Sequence, residues 1–268
     1  MVISKNITFS QNLSSAKGIS IGAFTSLTDD INSIDWNPAG LTKIKDWEID
    51  LSNYATANQK NFGLTLNLLG VGKRFFGNHA AAFRYSPGFL LEFIIPTTFT
   101  LKDSIGNTIT TRFDKKISYT QNYSFGYGYR IYDNFSVGFA AKYFESNLSD
   151  TKYYFGSNNI IQSQVNNYTS SMWTCDIGSM FETNNYLSFG LVFKNLFTLG
   201  ETNINEAFKE YQLDLKKIST FSATFKGLKN FAVSLEGDTK KNLRTGTEVN
   251  LFEHIQLRGG IYATDFPK

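Results

Sequence analysis

Ile117-Ser118-Tyr119-Thr120-Gln121-Asn122-Tyr123-Ser124-Phe125-Gly126-Tyr127-Gly128-Tyr129-Arg130 alternates bulky side chains with small or polar ones at every step. Period two is the signature of a strand with two unlike faces. An ordinary strand runs about five or six residues, whereas about 9 to 11 cross a bilayer when tilted, so a stretch this long leans toward a membrane wall. Phe135, Val137, Phe139, Ala141 and Tyr143 repeat the pattern against Ser136, Gly138, Ala140 and Lys142, with a lysine on the small-residue face.

Working outward, similar segments are Trp47 to Thr56, Phe62 to Leu69, His79 to Tyr85, Leu90 to Thr100, Ser170 to Phe181, Tyr186 to Phe193, Lys217 to Phe225, Lys229 to Gly237, Leu243 to Leu251 and His254 to Tyr262. About a dozen strands are expected. Turns such as Tyr132-Asp133-Asn134 are short, while Ser146 to Thr169 and Lys194 to Lys216 read as long loops, the second with a helical turn near Asn203 to Tyr211. Short turns at one end and long loops at the other is the asymmetry of outer-membrane barrels.

Composition agrees. The 268 residues are 41% hydrophobic, 18% charged and 16% aromatic, with 4 prolines, which excludes disorder and favours β structure. The net charge of +3 is scattered, and no basic footprint for nucleic acid is present. No apolar run reaches the roughly 20 residues of a transmembrane helix; Phe89 to Ile95 stops at Pro96. The start, Met1-Val2-Ile3-Ser4, has no signal-peptide h-region, so either the protein is not exported or a leader has been removed. A sandwich buries its apolar face and a barrel points it at lipid. Aromatics crowding strand ends, and Gly and Ser on the opposite face, favour the barrel. A cation at Ser124 is then expected to be much milder than one at Tyr123 or Phe125, provided the lumen is wet.

Leu13 to Ile44 breaks the pattern. Leu27-Thr28-Asp29-Asp30-Ile31-Asn32-Ser33-Ile34-Asp35 offers one or two helical turns, with Asp29 and Asp30 at the favourable N-terminal end. Trp36-Asn37-Pro38-Ala39-Gly40-Leu41 then imposes a stop, Pro38 forcing Asn37 to be extended and Gly40 allowing reversal into the first strand. A compact segment of this kind ahead of a barrel has the form of a luminal plug.

Ala23 to Leu41 resembles the N-terminal signature of the outer-membrane superfamily that contains FadL-type hydrophobic-compound transporters and the PorV and PorQ proteins of type IX secretion. Val137-Gly138 with Ala141-Lys142-Tyr143, Asp176-Ile177-Gly178, Gly190-Leu191 before Asn195-Leu196, and Gly246-Thr247-Glu248 before Leu257-Arg258-Gly259-Gly260-Ile261-Tyr262 resemble the PorV side. The resemblance implies an all-β, antiparallel transmembrane barrel of the 14-stranded type, here with about 12 strands, truncated and open at a seam. It implies a plug over residues 1–45 with Asn37, Pro38 and Ala39 in the lumen, and a barrel over residues 46–268. It also implies a non-enzymatic bacterial outer-membrane protein, in contact with lipid, that binds exported proteins or secretion components through Ser146 to Thr169 and Lys194 to Lys216. The alternative is a FadL-type passive transporter of hydrophobic small molecules such as long-chain fatty acids, which needs an apolar pocket beside Asn37, Pro38 and Ala39.

Candidate chemistry is sparse. With His79, His254 and Cys175 the chain's whole stock of His and Cys, no metal site, cofactor or catalytic pair stands out. Gly70-Val71-Gly72-Lys73 lacks the spacing of a phosphate loop. Asp176 opposes an apolar face and should pair with a cation in the lumen, Lys142 and Arg258 being the candidates, and His254 reads as a luminal or strand-edge polar residue.

Overall fold

The computed structural model describes residues 25–57, 61–94, 112–155, 161–183, 186–203, 215–228, 230–251 and 255–263. A short helix α1 (Ser33–Trp36) and a 3-10 helix (Pro38–Lys43) precede twelve strands: β1 (Trp47–Ala57), β2 (Asn61–Phe75), β3 (His79–Ile94), β4 (Arg112–Tyr132), β5 (Phe135–Phe155), β6 (Ile161–Thr183), β7 (Leu187–Lys194), β8 (Thr198–Asn203), β9 (Ile218–Leu228), β10 (Phe231–Asp238), β11 (Leu243–Leu251) and β12 (Ile255–Ala263). Each strand pairs antiparallel with the next, except that β7 and β8 both pair with β6 and β9 pairs with β7. The sheet curls into an all-β barrel wall around residues 25–44; among the described residues its end strands β1 and β12 do not pair with each other.

Register explains which face is which. Phe83 of β3 lies opposite Phe125 of β4, and Phe139 of β5 lies opposite Ile177 of β6; all four point outward, each about 40–49% exposed. This is the apolar outer face. Its upper border is an aromatic row, Tyr85, Tyr123, Tyr143 and Trp173, with neighbouring ring centroids 4.8, 6.2 and 4.8 Å apart. His79 and Tyr129, 4.8 Å apart, stand with Phe75 and exposed Phe76 at the lower border. Aromatic rings at both borders of an apolar band are what two membrane interfaces select.

Above the upper row the outward face turns polar: Tyr123 donates to Gln121 at 2.7 Å, and Asn147 to Glu145 at 2.8 Å. The strands nevertheless continue. Ser146 to Thr169, expected as a loop, forms the upper halves of β5 and β6 joined by residues 156–160, and Lys194 to Lys216 contains β8. The first of the two loops expected to carry a binding surface is therefore largely sheet; the second contributes β8, and its residues 204–214, with most of the helical turn expected near Asn203 to Tyr211, lie outside the described residues. His79 to Tyr85 and Leu90 to Thr100, expected as two strands, are one strand as far as Ile94.

Between β7 and β8 the wall steps. Ile177 faces Phe193 and Thr174 faces Thr198, so Cys175 and Asp176 oppose the longer stretch from Lys194 to Phe197, and Asn195 takes up the surplus with φ 55°. A bulge of this kind re-aims side chains. Here it delivers the Asn195 amide to Asp176 inside the barrel, at 2.8 Å.

Candidate functional site

The wall strands β3 to β7, β9 and β10 send mainly small or charged side chains inward, and residues 25–44 fill the space they leave. Ile31, Ile34, Leu41 and Ile44 pack against Ala80, Ala82 and Ala140, forming one small apolar cluster. Glycines admit the backbone still closer. A Cβ on Gly138 would overlap the Pro38 carbonyl carbon and the Ala39 nitrogen, one on Gly178 would overlap the Asn37 side-chain oxygen, and one on Gly128 would sit 3.1 Å from the Pro38 carbonyl oxygen. Gly40 serves the same end within the segment, lying against Thr28 and Ser33; the chain reverses by the 3-10 turn rather than by freedom at Gly40. Gly138→Ala should therefore cost about 1–3 kcal/mol by overpacking, since its nearest obstacle is backbone and cannot rotate away. An unchanged urea midpoint for heat-modifiable gel mobility would show that the segment seats elsewhere.

Asn37 is the keystone. Fully buried and held extended by Pro38, it donates its side-chain amide to the Thr25 and Ser179 carbonyls, both at 3.0 Å, and accepts from the Ala39 amide at 3.1 Å. Ala39 is likewise buried, its carbonyl accepting from Thr42 at 2.9 Å and Ser136 at 3.3 Å. Asp29 is exposed, and Asp30 accepts from the Asn32 amide at 2.9 Å.

The densest chemistry is an ionic cluster that ties the inner segment to the wall at β3, β5 and β6. Asp35, on α1, is paired with Arg84 of β3 and stands 3.3 Å from Lys142 of β5. Lys142 also reaches Asp176 of β6 at 2.6 Å, and the second Asp176 oxygen accepts from Asn195. All four ionic side chains are at most 6% exposed. Two cations and two carboxylates in alternation is an arrangement that buried charge tolerates. Ser124 sits between them: it lies opposite Arg84 on one side and Lys142 on the other, and its small side chain leaves room for both. The condition under which a cation at Ser124 would be mild, a wet lumen, is not met at this level, which these side chains fill.

Further ties circle the segment. Glu236 of β10 accepts from the Thr25 amide at 2.9 Å and pairs with Arg244; Ser26 shares a hydrogen bond with Thr224 at 2.7 Å. Lys43 pairs with Glu182 at 2.7 Å, Arg130 donates to the Thr42 carbonyl at 2.9 Å, and Glu48 accepts from the Ile31 amide at 3.2 Å. The Lys194 ammonium lies 5.3 Å over the Trp36 ring.

Of the residues expected here, Lys142 and Asp176 meet each other and Asn37, Pro38 and Ala39 sit beside the wall glycines. Arg258 does not join them: it pairs with Glu248 on the adjacent strand at 2.7 Å, because β12 is remote from β6 in the sheet order. His254 lies outside the described residues. Asp35, Arg84, Glu236 and Arg244 were missed: Glu236 and Arg244 carry the signal that marked Asp176, a charge on a strand face, whereas Arg84 comes after a run of alanines without two-sided contrast and Asp35 lies in the breaking segment. No three His, Cys, Asp or Glu side chains among the described residues come together as a metal site.

No family model and no curated protein matches the chain. Solved structures do. A TodX monoaromatic hydrocarbon channel with a deletion named S2 aligns over 95% of this chain and 93% of its own, with TM-score 0.56 and 8% identity. The corresponding S2S3 deletion mutant aligns over 95% and 84%, with TM-score 0.55 and 10% identity. The fold is the barrel fold of these channels. At such identity the likeness is one of fold, and nothing in it favours the PorV and PorQ side to which the strand motifs pointed.

Proposed function

We propose that this chain is a passive outer-membrane transporter of hydrophobic small molecules in which residues 25–44, the described part of an N-terminal segment spanning residues 1–45, act as a luminal plug. The observation that carries this reading is a lumen stoppered by the chain's own backbone, which is held by ion pairs, hydrogen bonds and two small apolar clusters rather than by a continuous core. Such ties can be exchanged for water when the stopper shifts. The fold shared with proteins titled monoaromatic hydrocarbon channels supports the same reading.

The apolar pocket that a transporter requires beside Asn37, Pro38 and Ala39 is not open here, since the wall glycines close on those residues. The arrangement is the shut state, and passage requires the segment to move. Nothing in the chemistry calls for a catalytic step.

The test is uptake of labelled oleate and toluene by bacterial cells that lack their own such channel. Expression of this protein should raise the initial rate several-fold over cells carrying empty vector. No rise for either solute would sink the transport reading. Exported proteins recovered with the barrel from the same cells would return the PorV-type function to the front.

A further inference from the structure

The lipid-facing wall has a notch that the lumen does not explain. Gly237 occupies an outward position of β10, directly between Phe221 on β9 and Leu243 on β11. A Cβ built there would meet nothing nearer than the Asn242 carbonyl oxygen at 4.0 Å. With Leu191 on the far side, and with Ser219, Thr220 and the turn residues Asp238, Thr239, Lys241 and Asn242 above, these residues border an open hollow of about 470 Å³. That volume falls in the range of small-molecule sites, roughly 300–1,000 Å³.

Height and charge say what fits it. The strands β9, β10 and β11 are 11, 8 and 9 residues long, close to the span needed to cross a bilayer. The β10–β11 turn just above Gly237, on the side opposite the short turns, therefore sits at the outer interface. In that turn Asp238 is consumed internally: it accepts from the Lys240 amide at 2.8 Å and the Asn242 amide at 3.1 Å, and it pairs with Arg244 at 3.2 Å. Lys240 and Lys241 are exposed, and Lys241 holds φ 62°, an uncommon conformation for a side chain of its kind. An apolar slot that ends beneath two lysines at headgroup level is complementary to an acyl chain with an anionic head.

We infer that the Gly237 notch binds one anionic amphiphile, its chain lying against Leu191, Phe221 and Leu243 and its oxyanion against Lys240 and Lys241. The head is a phosphate if the occupant is a bilayer lipid and a carboxylate if it is a free fatty acid. The site lies on the outside of the wall and stands whether or not the lumen conducts.

Native mass spectrometry of the full chain in neutral detergent tests it, with dioleoylphosphatidylglycerol, oleate and dioleoylphosphatidylcholine titrated separately. Phosphatidylglycerol or oleate should give a single adduct at about tenfold lower concentration than phosphatidylcholine, the preference two lysines near an anionic head supply. Saturation by phosphatidylglycerol alone assigns the site to bilayer lipid; saturation by oleate alone assigns it to free acid. Lys240→Gln with Lys241→Gln should erase the preference, and Gly237→Leu should remove the adduct by filling the slot. Equal binding of all three amphiphiles, or adducts unchanged in the double lysine variant, overturns the site. That variant alters exposed turn residues, so the test survives even if Gly237→Leu folds poorly.

Discussion

Replacing Asp35 with leucine should cost the seated state about 3–5 kcal/mol, the penalty for stripping a partner from buried charge. Arg84 would keep only the Asn32 side-chain oxygen, 3.5 Å away, and Lys142 would keep only Asp176 of its two acids. Two readouts follow. Either the urea midpoint of the heat-modifiable form falls, or the segment withdraws and the reconstituted barrel passes ions that the parent excludes. The paired change Asp35→Leu with Arg84→Met should recover most of the loss, because it removes one cation along with one anion and leaves Lys142 with Asp176. If the single variant matched the parent in both midpoint and conductance, Asp35 would not be holding the segment.

The second large effect separates the two faces of β4. Phe125→Arg places a cation on a lipid-facing position and should cost about 2–4 kcal/mol near the bilayer midplane. Ser124→Arg should be at least as damaging, for a different reason. It would thrust a third cation between Arg84 and Lys142, into space that those side chains and Asp35 already fill. Unfolding in lipid vesicles distinguishes the causes, since the Ser124→Arg defect should shrink when Lys142 is also replaced by methionine, whereas the Phe125→Arg defect should not. A mild Ser124→Arg would mean that the lumen at this level is water after all.

The wall was legible in the sequence wherever its outer face is apolar and its inner face small. Along Ile117 to Arg130 the outward residues must be apolar and the inward ones small, so the alternation is forced. Above Tyr123, Tyr143 and Trp173 both faces meet polar surroundings, the contrast disappears, and Ser146 to Thr169 reads as loop although it is sheet. The candidate site was half legible. Asp176 and Lys142 betrayed themselves as charges on a small-residue face, whereas Arg84 follows the uniform run Ala80-Ala81-Ala82, and Asp35 looks like an ordinary helix residue. Which of them meet depends on strand register across the barrel, and periodicity within one strand carries no information about that.

The hydrogen bond from Thr25 to Glu236 spans 211 positions of the chain, and it closes a ring of contacts that begins at Glu48. Contacts this distant in sequence make assembly slow, because the ends must find each other before the bond rewards them. A wall closing around nothing would also trap Arg84, Lys142 and Asp176 without Asp35 to balance them. Residues 25–44 therefore fit the part of a mandrel: a wall that wraps them as it closes keeps Asp35 beside Arg84 and Lys142 throughout, whereas a wall closed first would have to admit that carboxylate afterwards.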